Sequence, residues 1–159
     1  MPGLFTEFNA IQRGCNLVTD TTAETKSAVV DMAGFDEVTF VVDLEDVDAA
    51  AVLTFAVKEN TANSTTSPTP TAVALTTESG LGSISSGNLV ITESSGNLDQ
   101  KTIVINVKRQ AMTQRYVFLS ITAATESYEV NAITIIKSAS KDVVVSQPSN
   151  VVGYAYAAS

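Results

Sequence analysis

Apolar side chains recur at every second position over several short stretches of the chain, with polar or small residues between them. From Glu37 to Asp43, Val38, Phe40 and Val42 fall on one side and Glu37, Thr39 and Asp43 on the other, with Val41 among the latter. A two-residue period marks a half-buried β-strand, because successive side chains of an extended chain point to opposite faces. Leu53, Phe55 and Val57 alternate with Thr54, Ala56 and Lys58 in the same way, and Ile103, Ile105 and Val107 alternate with Thr102, Val104, Asn106 and Lys108. Tyr116 to Thr122 and Val130 to Lys137 carry apolar residues on both parities, which predicts strands in the middle of a sheet covered on two sides.

The residues between these stretches are those of turns. Asp31 to Asp36, containing Gly34, separates Ala28-Val29-Val30 from the strand that follows, and reads as a connection between two strands. Ser85-Ser86-Gly87-Asn88-Leu89 recurs as Ser94-Ser95-Gly96-Asn97-Leu98 and brackets the apolar run Leu89-Val90-Ile91, a spacing that predicts a tight meander. Asn60 to Thr71 is polar and includes Pro68 and Pro70, so it belongs in an exposed loop rather than a central strand. Many short strands joined by Ser, Thr, Gly and Asn define the expected class: all-β, a β-sandwich of jelly-roll-like form.

Both ends differ from the middle. Leu4, Phe8 and Ile11 fall at helical spacing, and beyond Asp142 no charged side chain occurs through Val151, Val152, Tyr154 and Tyr156. Apolar ends need cover, either as extra strands of their own domain or on a neighbouring subunit. The expected division is an N-terminal arm over 1–26, a sandwich domain over 27–145 and a C-terminal arm over 146–159, with arms extended from the core.

Composition narrows the function. At 159 residues, 45% hydrophobic and 16% charged, the chain suits one domain with enough apolar surface to offset the entropy of ordering. No run approaches the roughly 18 apolar residues of a spanning helix, and Met1 to Glu7 lack the basic and apolar regions of a secretory signal; the expectation is a protein made in a cytoplasm, with no membrane partner. A formal net charge of −8 repels polyphosphates, since nucleic-acid affinity comes largely from Lys and Arg, so no nucleic-acid partner is expected.

The chemical inventory is thin. The chain has no histidine and one cysteine, Cys15, which removes intrachain disulfides, thiolate clusters, imidazole metal sites and the commonest general base. Asp43, Glu45, Asp46 and Asp48 crowd within six residues and supply hard oxygen donors of the kind Ca²⁺ takes, but without the spacing of a calcium loop. They read as a solvated loop at a strand end that discourages edge-to-edge aggregation. A carboxylate hydrolase around Glu45, Asp46 and Asp48 lacks a second, separated acid.

Ser138-Ala139-Ser140-Lys141 spells Ser-x-x-Lys without the companion elements of that signature. Arg13 near Cys15 favours a thiolate, whereas a lone cysteine more commonly serves as a small buried hydrophobe. Gly80-Leu81-Gly82 stands in a Ser-rich turn without a phosphate-binding helix. Asn63-Ser64-Thr65 is an acceptor pattern without a secretory route, and Ser67-Pro68-Thr69-Pro70 reads as a stiff loop segment. No enzyme activity, cofactor or metal is expected.

Three stretches carry a resemblance: Val30 to Val42, then Gln114 to Leu119 (Gln-Arg-Tyr-Val-Phe-Leu), then Val145 to Val152 (Val-Ser-Gln-Pro-Ser-Asn-Val-Val). Together they resemble the small decoration, or cement, proteins of tailed-bacteriophage capsids, over about a quarter of the chain. Those proteins have a jelly-roll-like fold. The resemblance implies a dimer or trimer that binds the major capsid protein on the outside of an icosahedral head and bridges capsomers against internal DNA pressure. Residues 60–77 have no counterpart in that resemblance. The contacts it suggests lie at the two ends: Leu4, Phe5, Phe8 and Ile11 at one, Gln147, Pro148, Val151, Val152, Tyr154 and Tyr156 at the other. The alternative expectation is a carbohydrate- or receptor-binding β-sandwich of a phage fibre or tail. An absence of Trp and 6% aromatic content leave few aromatic platforms for a sugar.

Overall fold

The computed structural model describes residues 9–139 and, as backbone, 151–157. The described elements are β1 (Asn9–Cys15), β2 (Val18–Thr21), β3 (Thr25–Lys26), β4 (Val30–Asp31), β5 (Glu37–Val47), β6 (Val52–Asn60), β7 (Thr71–Val73), β8 (Thr77–Gly80), β9 (Ser83–Ser85), β10 (Asn88–Thr92) and β11 (Thr102–Lys108). A 3-10 turn at Arg109–Ala111 follows, then β12 (Tyr116–Ala124), β13 (Tyr128–Ser138) and β14 (Val151–Ala157).

They form two sheets. One has the order β1-β13-β5-β11-β14-β8 with β2 also on β13; the other has the order β3-β12-β6-β10-β9, with β4 on β12 and β7 on β6. All pairings are antiparallel except that of β11 with β14, which is parallel. The protein is an all-β sandwich.

The alternation read from the sequence accounts for the core. Val38, Phe40, Val42 and Leu44 of β5, Ile103, Ile105 and Val107 of β11, and Val130, Ile133 and Ile135 of β13 face Leu53, Phe55 and Val57 of β6, Val117, Leu119 and Ile121 of β12, and Leu89 and Ile91 of β10, all fully or almost fully buried. Burying side chains of this size stabilises by about 1.5–3 kcal/mol each. Strand β12 has Phe118 and Ser120 buried on the opposite parity, so it is covered on two sides as expected. In β13 the mixed parity has another cause. Val130 pairs with Leu44 and Ala132 with Asp43; this bulge inserts one residue and shifts the phase. Val130, Ile133 and Ile135 therefore all point inward, whereas Ile136 is half-buried on the outer face.

Ile11 does not continue a helical turn. It lies on β1, paired with Ile136, because an open edge of β13 offers backbone partners that a short isolated helix cannot match. Residues 9–26 thus join the sandwich as β1, β2 and β3, and 151–157 join it as β14; these parts of the expected arms pair as strands of the chain's own sheets. Leu4, Phe5, Phe8, Gln147 and Pro148 lie outside the described residues.

The meander is half of what the repeated turn suggested. Ser86 and Gly87 both take positive φ, 49° and 76°, the pairing that closes a tight hairpin between β9 and β10. Ser95 and Gly96 repeat that conformation, with φ of 61° and 76°, but the chain then crosses to the other sheet as β11. The side chain of Glu93 fixes this second turn by accepting the amides of Gly96, Asn97 and Leu98 at 2.6, 3.0 and 2.7 Å.

Candidate functional site

The acidic run expected in a loop forms the second half of β5, which continues to Val47. The reason is burial: Leu44 continues the inward parity of Val38, Phe40 and Val42, and a register shift against β13 between Leu44 and Val47 turns Val47 inward as well, which keeps the segment in the sheet while the carboxylates between them are partly or fully exposed. These carboxylates then diverge. Asp43 accepts the Thr102 hydroxyl at 2.8 Å, and Glu45 accepts the Asn131 amide at 2.6 Å. Asp46 and Asp48 instead line an open cleft of about 310 Å³ with Asp20, Ser127, Tyr128 and Glu129.

Ser127 ties this cleft together, its Oγ lying 2.7 Å from Asp20 Oδ1 and within hydrogen-bond reach of Asp48 Oδ2. The Tyr128 hydroxyl is turned away, into contacts with Ala23 O, Thr25 Oγ1 and Ile121 O at 3.0, 2.7 and 3.1 Å. Burial pushes its pKa up. Among the described residues no group of three or more His, Cys, Asp or Glu is placed to hold a metal ion. Asp20, distant in sequence from β5, enters the cleft because β2 pairs with β13; no spacing rule could have linked it to Asp46 and Asp48.

Charge is distributed unevenly over the sandwich. At the end where β5 turns into β6 and β12 into β13 lie Asp20, Asp43, Glu45, Asp46, Asp48, Asp99, Glu126 and Glu129, with Lys101 the one cation there among the described residues. Lys108, Arg109, Arg115 and Lys137 lie toward the opposite end, beside Asp31, Asp36 and Glu37. Arg115 grips Asp31 through Nε and Nη2 at 2.7 and 2.6 Å, and this guanidinium holds the Asp31 carboxyl down at about 2. Lys137 stands 4.5 Å from the Phe35 ring centroid.

That opposite end carries the loop over 61–70, and two adjacent residues organise it. The buried Asn60 donates to Ser64 O and Pro68 O at 2.8 and 2.9 Å and accepts from the Ala62 amide at 3.2 Å. The buried Glu59 accepts the Thr113 and Gln114 amides at 2.8 and 2.9 Å and the Thr113 hydroxyl at 2.6 Å. Gln114 Nε2 in turn donates to Thr71 Oγ1 at 2.9 Å. The loop is exposed, as its prolines imply, and anchored at both ends.

Of the residues expected to make contacts, Ile11 is placed on the outer face of β1 and is 62% exposed. Val151, Val152, Tyr154 and Tyr156 fall on β14, between β11 and β8. Ile11 lies at the far edge of the same sheet, so the structure does not bring the two groups together. Cys15 sits on β1 with its thiol donating to Asn16 O at 3.0 Å, and burial pushes its pKa up. Arg13 bonds the Asn16 side chain at 3.1 Å. Ser138 ends β13, bonded to Asn9.

These features define a class, an all-β sandwich with divided charge and a braced loop at one end. Comparison of the sequence with protein-family models and with curated proteins finds no match.

Proposed function

We propose that this protein is a decoration, or cement, protein of a tailed-phage capsid. In this reading it self-associates as a dimer or trimer and binds the major capsid protein on the outer surface of an icosahedral head assembled in the host cytoplasm. One observation carries the reading: two of the three stretches that resemble such proteins form a single structural unit. Val30 and Asp31 pair with Val117 and Tyr116, the Met32 amide donates to Arg115 O at 3.0 Å, and Arg115 grips Asp31. The segments that carry the resemblance thus lie together at one corner of the sandwich. The third stretch enters β14 at Val151 and Val152.

The fold suits the role, since a surface-binding protein needs a rigid body and complementary faces rather than a chemical site. The test is co-sedimentation with intact shells of the host phage, together with light scattering on the purified protein. A dimer or trimer that pellets with shells at fixed stoichiometry supports the proposal. A protein that leaves shells untouched overturns it and directs attention to a receptor- or glycan-binding module, for which a glycan array is the next measurement.

A further inference from the structure

An edge strand offers a row of backbone donors and acceptors to any chain that can pair with it, and folded proteins blunt such edges by shortness, charge or a kink. The other edges of this sandwich are blunted in these ways. Strands β3 and β4 have two residues each, and β7 and β9 have three. Strand β8 carries Glu78 and ends on Gly80 at a φ of 96°, and β2 carries Asp20 at a φ of 43°.

Strand β1 has none of these devices over most of its length. It has seven residues, and among the described residues it pairs only with β13. Every second residue of an antiparallel strand turns its N–H and C=O away from its partner, and from Ala10 to Arg13 no other described strand receives them. The open run has a definite limit. After Arg13 the register against β13 shifts, and the Gly14 carbonyl accepts the Ala28 amide at 2.6 Å. Arg13 is the one charged residue of the run, and its guanidinium is drawn along its own chain to the Asn16 side chain at 3.1 Å.

Exposed apolar side chains gather on the same edge. Ile11 and Leu17, 62% and 59% exposed, are two of the three large apolar side chains exposed among the described residues. Leu17 lies between β1 and β2, and Ile11 stands in the open run beside the half-buried Ile136. A lone exposed Ile is ordinary on a protein surface; on an unblunted edge it marks a place where a strand can be added.

Charge and symmetry select the occupant. Strand β1 starts beside Lys137, which pairs with Ala10, and leads through β2 toward the acidic end, where Thr21 pairs with Tyr128 next to Asp20 and Glu129. Two copies of β1 paired antiparallel about a two-fold axis at Ile11 send their acidic ends to opposite sides of the dimer. Ile11 then meets Ile11, Ala10 meets Gln12, and the two Arg13 side chains stay apart. A two-fold axis needs one self-complementary patch and no other protein.

We infer that two copies of this chain join edge to edge through β1, antiparallel about a two-fold axis at Ile11, so that one sheet runs on from copy to copy. This deepens the self-association in the proposed function and rests on that part of the reading. It selects the dimer over the trimer, because the axis occupies the open edge of both copies.

The test is light scattering on the purified parent and on I11K, with circular dichroism and thermal melts to confirm that the variant folds. The side chain at position 11 is exposed, so I11K should keep the fold and the Tm while losing the dimer, since it sets two ammonium groups against each other at the axis. Cysteine placement supplies a second measurement on a C15S background. Facing residues of an antiparallel pair have Cα atoms about 4.5–5.5 Å apart, within the range a disulfide spans, so oxidised I11C should form a linked dimer. L17C is the control: it is almost as exposed, but at six residues from the axis its two copies are about 40 Å apart, and it should stay unlinked. A parent dimer that persists in I11K, a parent trimer, or I11C that links no better than L17C overturns the inference and leaves self-association standing. A monomeric parent overturns both. Shell binding is measured separately, so its failure leaves the edge-to-edge dimer intact.

Discussion

Glu93 and Glu59 are buried carboxylates, 2% and 4% exposed, and both serve backbone amides rather than solvent. An acceptor in such a place replaces water for donors that would otherwise be buried unpaired. Replacing Glu93 with Gln leaves one oxygen where two receive the amides of Gly96, Asn97 and Leu98, with an amide donor in place of the other. The expected loss is about 1–3 kcal/mol, measured as a lower urea midpoint at unchanged m-value. Glu24 gives the clearest pH dependence. The Ser120 hydroxyl, donating at 2.5 Å, contributes most, and Lys58 and Lys26 at 3.1 and 3.2 Å add to it, lowering the carboxyl from 4.5 to about 2. Because the folded pKa lies below the unfolded one, this contribution is present above pH 4.5 and is lost as pH falls toward about 2. Thermal melts across that window should show Tm falling with acidification, and E24Q should flatten the slope; an equal slope in the variant would remove Glu24 from the account.

At the scale of elements, the loop over 61–70 has an identifiable organiser in Asn60, which ends β6 and turns its amide into the loop. N60A should leave the sandwich folded and expose the loop to limited proteolysis, with cleavage between Ala62 and Thr69 at protease levels that leave the parent intact. Uncut N60A would mean that the loop holds itself. Strands β5, β6 and β11 were legible in the sequence because each buries one parity of side chains and leaves the other outside. Strand β13 was legible as a strand but not in its facing, since the bulge near Asn131 changes phase without any residue type that announces it. The run Asp43 to Asp48 looked like a loop because its charges outweigh Leu44 and Val47 in composition, whereas burial of those two side chains keeps it in the sheet.

The molecule as a whole carries its excess of carboxylates at one end. Like charges held this close repel, and salt shortens the range of that repulsion from about 10 Å at 0.1 M to about 3 Å at 1 M. Stability should therefore rise with NaCl, and D46N, which neutralises an exposed member of the group, should raise it by about 0.3 kcal/mol and weaken the salt dependence. Differential scanning calorimetry at several salt concentrations tests both, and a Tm that falls with added salt would show that the ion pairs of Glu24 and Asp31 outweigh the crowded end. The same division of charge gives the body two unlike poles, so any partner that docks end-on meets either a field of carboxylates or a mixed surface with a braced loop.

By itself the sequence determined that the chain is all-β, which parity of β5, β6 and β11 makes the core, where the long loop falls, and that imidazole sites and thiolate clusters are excluded. Those properties depend on local alternation, on turn-forming residues and on the presence or absence of side-chain types, all of which can be read along a line. Tertiary structure alone decided that Asp20 joins Asp46 and Asp48, that Glu59 braces Thr113 and Gln114, that residues 9–26 belong to the sandwich, and that residues 151–157 run parallel to β11. Each of these depends on which strands become neighbours. That choice is made by the closure of two sheets around one core, and backbone hydrogen bonds that look alike from every strand carry no mark of it in the sequence.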